Sequence, residues 1–391
     1  MCRCSRRYGC RVIRKLAATA SVGAVGAFTT GLAATGSATG RAFGASPEAI
    51  APHISASPNQ HDGFFANREP SIAVDVDRTG AVDMIRARRR GDPGSTVPVR
   101  DPEFIAPGFV DTAAALAVTW LGHATALVEI DGRRVLTDPV LSKRCSPSQS
   151  IGPARMHRAP CTASQLPDLD VVLISHDHYD HLDMATVVTI AREQPRAHFV
   201  APIGVGAHLE YWGIAPDRIS EADWGQRVTH GDLTFDCVPA RHFSGRGVVR
   251  NLTQWASWGV RGPQHSAFFT GDTGFTEAYR DAGGPYELTL VPIGAYDRMW
   301  PDIHVDPEEG VALHTMLAGD SLADSLMVPI HWATFNLGLH TWDDPVRRML
   351  AAAEKASAVT ATPAPGTRID VVTRTGAGID HADWWHGVAQ N

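Results

Sequence analysis

Residues 176–181 (HDHYDH) place three histidines and two aspartates within six positions. They directly follow residues 170–174 (DVVLI), a short apolar run that predicts a buried strand. Imidazole and carboxylate groups suit divalent zinc, and packing alone does not explain so many of them in one loop. A tight loop at a strand end can turn alternate side chains toward one centre. His176 and His178 can therefore face one metal ion, and Asp180 and His181 a second.

Two metal ions need more ligands than this loop supplies, and three further candidates follow other predicted strands. They are His242 after residues 233–238, Asp272 after residues 266–270 and His331 after residues 326–330. Functional groups collect at the carboxyl ends of strands in sheets with α/β character, so we expect these side chains to meet the 176–181 loop.

The order of predicted elements indicates the fold class. Residues 126–130 and 133–137 flank Asp131-Gly132, a strong hairpin signal. Later segments alternate strands with helices, which we predict at residues 183–192, 306–317 and 343–356. Hairpins followed by α/β alternation predict an α/β architecture of two mixed sheets packed together with helices outside.

The HxHxDH segment, followed in order by His242, Asp272 and His331, resembles the metallo-β-lactamase superfamily. The resemblance implies a four-layer αββα sandwich with metal ions at one edge. It assigns His176, His178 and His242 to one metal and Asp180, His181 and His331 to the other, with Asp272 as a bridge. Zinc is the expected metal, while manganese or iron fits the same ligands.

A narrower resemblance is to N-acyl-phosphatidylethanolamine-hydrolysing phospholipases D, and it covers roughly residues 119–331. The segments that carry it are residues 120–125 (WLGHAT), 136–139 (LTDP), 146–149 (SPSQ), 160–162 (PCT), 292–296 (PIGAY), 304–309 (HVDPEE) and 330–332 (IHW). It implies attack of a metal-bridging hydroxide on the phosphodiester, giving phosphatidic acid and an N-acylethanolamine. The last residues, including 384–386 (WWH), do not match this family.

The resemblance also implies roles for other residues. His304 is expected beside the substrate phosphate, where it binds substrate or passes a proton to the leaving alkoxide; Asp180 and Asp272 act through the metals. Asp138 orients a metal-bound histidine or caps a turn before Pro139. His123 either contacts the metal rim and substrate or is a structural turn histidine, and Tyr296 is expected to touch the phosphate.

The metal ligands alone leave other functions open. A second hypothesis is a hydrolase of lactones, or of cyclic or nucleic-acid phosphodiesters, on the same metal site. A third is a non-hydrolytic metal-binding or redox di-iron protein. The formal charge of -7 argues against nucleic acid as a partner. The expected partner is a phospholipid at a membrane surface. A homodimer is one oligomeric state that the sequence allows.

The chain is predicted to divide into four parts. Residues 1–45 are a leader or disordered extension, 46–110 an irregular arm, 111–375 the hydrolase domain and 376–391 a tail. The first 47 residues carry seven Lys or Arg and no Asp or Glu, and Arg6-Arg7 resembles a twin-arginine export signal. Export or membrane association is therefore one expectation, and a cytoplasmic location the other.

Overall fold

The computed structural model describes residues 38–71, 107–376 and 383–386. Its strands are β1 (Gln60–His61), β2 (Phe64–Phe65), β3 (Leu116–Gly122), β4 (Thr125–Ile130), β5 (Arg133–Thr137), β6 (Val171–Leu173), β7 (His198–Pro202), β8 (Ile219–Ala222), β9 (Arg227–His230), β10 (Leu233–Pro239), β11 (Ala256–Arg261), β12 (Ser266–Phe269), β13 (Leu288–Pro292), β14 (Leu326–Ile330), β15 (Val359–Thr360) and β16 (Arg368–Asp370). Its α-helices are α1 (Ala38–Ala42), α2 (Pro47–Ile54), α3 (Met184–Glu193), α4 (Gly206–Tyr211), α5 (Pro307–Ala318) and α6 (Asp344–Ala356). Within the described ranges, no helix has the length and apolar character needed to cross a bilayer.

Two seven-stranded mixed sheets form the centre of the fold. The first has the order β16-β3-β4-β5-β6-β7-β8 and the second β15-β14-β13-β12-β11-β10-β9. In each sheet, hairpin-connected antiparallel strands give way to parallel strands. The helices connect the parallel strands, so both sheets present the carboxyl ends of those strands at one edge of the sandwich.

Many strands are buried on both faces, which explains why their sequences are apolar along their length. Every residue of β3 is buried. Val118 and Trp120 pack in the core between the sheets, together with Phe235 of the second sheet. Val187 and Ile190 of α3 belong to a separate apolar cluster on the outer side of the first sheet. The predicted class of mixed sheets covered by helices is therefore confirmed.

The N-terminal region differs from its sequence assignment. Residues 38–71 were assigned to the end of a leader and to an irregular arm, yet they contain two helices and a small hairpin. Ser46 caps α2 by accepting a hydrogen bond from the Ala49 N–H, and proline begins the helix. Ile50 and Ile54 are buried in the main core. Pro47 and Pro52 suggested irregular chain, but the first lies at a favourable helix start. The remaining leader (1–37) and arm (72–106) positions lie outside the described residues.

The C-terminal end also packs on the domain. Residues 376–391 were assigned to a separate tail, yet Trp385 is only 2% exposed and belongs to the main core. Trp384 lies 5.6 Å from Trp332, measured between ring centroids. No periodic pattern marks this segment because a single short turn supplies both contacts. Residues 377–382 and 387–391 lie outside the described part of the chain.

Candidate metal centre

The predicted ligands lie on loops that follow strands of both sheets. Residues 176–181 follow β6, and His242 follows β10. Asp272 follows β12, and His331 comes directly after β14. These four segments are separated by up to 155 positions in sequence, but the parallel packing of the sheets brings their ends to one edge of the sandwich.

His176, His178 and His242 form one cluster of ligands. One ring nitrogen from each lies within 4.8 Å of the others. His176 Nε2 is 2.8 Å from His178 Nδ1, and His242 Nε2 is 3.3 Å from the same atom. Three imidazole nitrogens that point at one another form the type of trigonal face that a divalent metal ion occupies.

Asp180, His181 and His331 form a second cluster, with His123 behind it. Asp180 Oδ2 lies 3.4 Å from His181 Nε2 and 3.3 Å from His331 Nε2. His123 Nε2 lies 2.9 Å from the same carboxylate oxygen. This set therefore offers one carboxylate and two imidazoles to a second ion, and His123 holds the carboxylate from the side.

Asp272 lies between the two clusters. Its Oδ2 atom is 3.0 Å from His181 Nε2 and 3.1 Å from His331 Nε2 on one side. On the other side it is 3.6 Å from His242 Nε2 and 4.0 Å from His176 Nε2. One carboxylate oxygen thus faces ligands of both clusters, which is the placement a bridging ligand requires.

Buried atoms without partners provide a test of whether a metal fits. Among the described residues, His181 Nε2, His331 Nε2 and Asp272 Oδ1 are buried and make no hydrogen bond. Buried polar atoms are otherwise nearly always paired because leaving one unpaired costs roughly 1–3 kcal/mol. All three belong to residues of the proposed ligand set, so the residues present fit divalent metal ions.

The buried carboxylates raise the pKa of two of the histidines. Burial disfavours charge on His331, but the neighbouring Asp272 and Asp180 carboxylates raise its pKa to about 9. Burial likewise opposes charge on His181, and Asp272, Asp180 and Asp138 together raise its pKa well above the ordinary value. In the other cluster, burial and the neighbouring imidazoles lower the pKa of His176, so that ring is neutral and its nitrogen is free to ligate.

Asp138 holds His181 from behind, as one of its two sequence interpretations required. Its Oδ2 is 2.6 Å from His181 Nδ1. The same carboxylate accepts hydrogen bonds from the Ser175 N–H at 2.7 Å and the Ser175 hydroxyl at 2.5 Å. His242 is oriented in the same way because its Nδ1 donates to the Ile303 carbonyl, at 2.8 Å. Each of these bonds turns the other ring nitrogen toward the ligand cluster.

Several non-glycine residues at the site have a left-handed backbone. φ is 55° at His123, 32° at Asp138, 63° at Ala295 and 60° at His331. Such a conformation costs of order 1–3 kcal/mol and persists where surrounding structure enforces it, often at functional sites. At His331 it coincides with the abrupt end of β14, which directs the ring toward Asp272.

The other three predicted site residues have different positions. His304 is partly exposed at the cavity, with Nδ1 3.9 Å from Asp272 Oδ2. His123 is fully buried beside Asp180, so it supports a ligand and is not placed to contact substrate. The Tyr296 hydroxyl donates to Asp344 and its ring stacks on His340, 4.5 Å between centroids. The hydroxyl of Tyr296 is thus engaged by Asp344, and its contact with a phosphate stays a prediction.

The ligands open into a cavity of about 230 Å³. Its walls include Phe243, Trp300 and Leu337, which are apolar or aromatic. Arg250 also lines it, with its guanidinium carbon 4.9 Å from the Phe243 ring centroid. Arg250 cannot be singled out from sequence, because an exposed arginine in a polar loop carries no periodic or spacing signal.

Comparisons with known proteins agree with this geometry. Residues 133–332 match a family model described as a beta-lactamase superfamily domain. An uncharacterized protein of Mycobacterium tuberculosis (strain ATCC 25618 / H37Rv) is 46% identical over 367 residues, covering 92% of this chain and 96% of that protein. N-acyl-phosphatidylethanolamine-hydrolyzing phospholipase D 1 of Caenorhabditis elegans is 35% identical over 258 residues, 62% of this chain and 70% of that protein.

A solved structure shares the fold at much lower sequence identity. The isothiocyanate hydrolase from Delia radicum gut bacteria superposes with a TM-score of 0.52 at 18% identity, covering 65% of this chain and 98% of that one. At this identity the likeness concerns architecture only. The family match, the relatives and the convergent histidine and aspartate ligands lead to one conclusion: the chain belongs to the metallo-β-lactamase superfamily and is a metal-dependent hydrolase of that fold.

Proposed function

We propose that this hydrolase is a zinc-dependent phosphodiesterase of the phospholipase D type. Its substrate would be N-acyl-phosphatidylethanolamine and its products phosphatidic acid and an N-acylethanolamine. The observation that carries the proposal is the cavity itself. Arg250 places a positive charge at the rim, Asp272 and His304 lie at the base, and the remaining wall includes Phe243 and Trp300. This combination suits an anionic phosphodiester attached to apolar chains.

The ligand set supports zinc and a two-metal arrangement. Five imidazoles and two carboxylates divide into two clusters that share Asp272. When bound, such a pair of ions supplies a water nucleophile at neutral pH and neutralises charge on the phosphoryl oxygens. The chain's own part is to fix the ligands through Asp138 and His123, and to bind the phosphate through Arg250.

His304 is placed to handle a proton at the reacting phosphate. Its ring lies 5.0 Å from the His331 ring and 5.0 Å from the His242 ring, between centroids, so it borders both clusters. Burial lowers its pKa to about 4, although Asp272 acts in the opposite direction. A neutral imidazole here can accept a hydrogen bond from the substrate, or relay a proton between water and the leaving alkoxide.

We also propose that the enzyme meets its substrate at a membrane surface. Val248 is 68% exposed and lies two residues before Arg250 on the loop that borders the cavity. An apolar side chain beside a cationic one matches the interface between acyl chains and phosphate groups. Export of the chain, with a cytoplasmic location as its alternative, and formation of a homodimer stay separate predictions.

The first experiment assays the full zinc-loaded chain with N-acyl-phosphatidylethanolamine in mixed micelles and, separately, with a bis-aryl phosphodiester. Asp272→Asn serves as the inactive control. Release of N-acylethanolamine that is lost in the control is the expected result. Hydrolysis of the bis-aryl diester alone would move the substrate to another phosphodiester. No turnover of either compound by a metal-loaded protein would contradict the proposal and favour lactones.

Arg250 gives a sharper test of how the phosphate is recognised. Arg250→Ala should raise KM for the phospholipid about 10-fold or more, since a charge-assisted hydrogen bond contributes about 1.5–3 kcal/mol. Arg250→Lys keeps the charge and should restore part of that loss. An unchanged KM in the alanine variant would remove Arg250 from the substrate contacts.

A further inference from the structure

Asp177 occupies the position between two proposed ligands and faces away from them. Its Oδ1 accepts a hydrogen bond from the Gly245 N–H at 2.6 Å, and its Oδ2 accepts one from the Thr253 hydroxyl at 2.9 Å. Oδ2 also lies 3.3 Å from His208 Nε2. The side chain is almost completely buried. Asp177 therefore anchors the metal loop from behind, between His176 and His178.

His208 of α4 connects Asp177 to the N-terminal segment. Its Nδ1 accepts a hydrogen bond from the Ala45 N–H at 2.8 Å. Because that nitrogen accepts, the neutral ring carries its proton on Nε2 and donates it to Asp177. The ring is buried, and burial lowers its pKa despite the nearby Asp177 carboxylate. The backbone at Ala45 thus selects the tautomer that holds Asp177.

Arg246 makes a second connection between the same two segments. Its Nη1 donates to the carbonyls of Asp177 at 2.6 Å and Leu182 at 2.8 Å, at opposite ends of the metal loop. Its Nε and Nη2 donate to the Ala42 carbonyl at 3.1 and 2.8 Å. The guanidinium is buried over the Tyr179 ring, with its carbon 4.2 Å from the ring centroid. One side chain therefore fixes both ends of the loop against residue 42.

Gly44 allows the segment to approach His208 this closely. A Cβ at this position would lie 2.2 Å from His208 Nδ1, and φ is +83°. Gly63 has the same φ of +83°, yet a Cβ there would meet nothing within 4 Å. The two glycines thus share a backbone conformation, but only at Gly44 would a side chain displace His208.

We propose that residues 42–45 form a positioning element of the metal centre. They hold His208 and Arg246, which in turn hold Asp177 and so direct His176 and His178 at the metal. From sequence alone these residues belong to the leader or disordered extension at 1–45, which processing of an export signal would remove. Processing that removed them would leave His208 and Arg246 without their Ala45 and Ala42 partners. This role is independent of which substrate the enzyme hydrolyses.

The matched glycines provide the test, using the full chain. Zinc affinity is measured by competition with a chromophoric chelator, and ligand geometry by the absorption spectrum of the cobalt-substituted protein. Gly44→Ala should weaken one of two bound metals by about 10-fold or more and alter the cobalt spectrum, as loss of outer ligand support commonly does. Gly63→Ala should change neither quantity. Equal effects of both variants, or none in a folded Gly44→Ala protein, would overturn the proposal.

Two substitutions at His208 settle the case if Gly44→Ala does not fold. His208→Gln retains a carbonyl acceptor for the Ala45 N–H and an amide donor for Asp177. His208→Leu has similar size but provides neither. The glutamine variant should keep most of the zinc affinity, and the leucine variant should lose about 10-fold. Wild-type zinc affinity in a folded leucine variant would exclude the positioning role. Neither result depends on phospholipid turnover, so the substrate proposal is tested separately.

Discussion

Asp138 shows how one buried side chain sets the direction of a ligand. It accepts hydrogen bonds from the Ser175 N–H and hydroxyl and lies 2.6 Å from His181 Nδ1. With its position fixed by Ser175, the carboxylate leaves His181 Nε2 as the nitrogen that faces Asp180 and Asp272. The carboxylate also stabilises positive charge that develops on the ring when a metal binds.

Replacing this carboxylate should weaken metal binding. Asp138→Asn removes the charge and places an amide donor against either His181 or Ser175. We expect zinc affinity to fall about 10- to 100-fold, which is the usual effect of losing such a partner. Chelator competition on the purified variant measures it. Asp168→Asn is the control, because that side chain is 80% exposed. Equal zinc affinity in wild type and Asp138→Asn would show that His181 does not need Asp138 to orient its ring.

Individual site residues differed in how far the sequence could identify them. The seven ligands were recognisable because imidazole and carboxylate chemistry coincided with strand ends. The hydrogen bond of Tyr296 to Asp344 was not predictable, because the two residues are distant in sequence and no pattern links them. Arg250 was missed since an exposed arginine is common on any surface. The direction of a side chain depends on tertiary contacts, whereas the chemical type of a metal ligand is given by the sequence.

At the level of elements, the start of α5 fixes the segment that carries His304. Asp306 is the N-cap residue and accepts a hydrogen bond from the Glu309 N–H at 2.9 Å. Glu309 in turn accepts from the Asp306 N–H at 3.1 Å, which completes a capping box. Asp306 also pairs with Arg348 of α6 at 2.9 Å. The cap lies two residues after His304, and it ties the start of α5 to the neighbouring helix.

Removing this cap should destabilise the protein by a modest amount. Asp306→Ala is expected to lower the free energy of unfolding by about 1–2 kcal/mol, mostly through the unsatisfied N–H groups of the first turn. Asp306→Asn retains an oxygen that caps the helix and should lose much less, because a partly exposed ion pair contributes only about 0–1 kcal/mol. Urea denaturation of both variants gives the comparison. A larger loss for asparagine than for alanine would contradict the capping explanation.

His53 of helix α2 should make the stability of the folded protein depend on pH. His53 Nδ1 lies 2.6 Å from Glu221 Oε2 in β8, and this hydrogen bond raises the pKa of His53 above its ordinary value. A raised pKa in the folded state stabilises the protein fully below the unfolded value of about 6.5 and stops doing so as pH rises through the folded value. The advantage of wild type over His53→Gln in thermal denaturation should therefore be largest below about pH 6.5 and shrink as the pH rises through the raised pKa of His53. A difference that stays constant or grows with pH would rule out this pairing.

Most strands of the two large sheets were predictable from periodicity, and the exceptions among them share a cause. The helix at Met184–Glu193 begins after Asp183, as expected from its N-cap preference. Strands β8, β15 and β16 were not predicted. They are two to four residues long and lie toward the margins of the sheets, where one neighbouring strand supplies the pairing. Their conformation depends on the sheet that receives them, so local sequence carries little information about it.

At the scale of the whole molecule, aromatic side chains join the C-terminal end to the core beneath the metal centre. Trp120 and Trp332 are stacked with centroids 5.7 Å apart and an interplanar angle of 5°. Trp384 contacts both, at 6.2 and 5.6 Å. Trp332 directly follows His331, so this cluster packs against the backbone that holds one of the ligands. The hydrolase fold therefore extends beyond the boundary at residue 375 that the sequence suggested.

The terminal tryptophan should contribute substantially to stability. Trp385→Ala is expected to cost about 3–5 kcal/mol because it removes a large side chain that is 2% exposed. Val372→Ala is the control, since that side chain is 54% exposed and surface substitutions usually change stability by less than about 0.5 kcal/mol. Denaturant titration distinguishes them. Equal stabilities would mean that the C-terminal end is only loosely associated with the core.

Pairing of β16 with β3 has a consequence for how the protein is made. Strand β16 joins the edge of the first sheet, so residues near position 370 complete a layer that begins at position 116. His331 also leaves the ribosome about 150 residues after the HDHYDH loop. At about 5–20 residues per second, roughly 8–30 s separate these events. Metal loading is therefore expected after synthesis of nearly the entire chain, and a nascent chain stalled between the two positions would hold an incomplete ligand set.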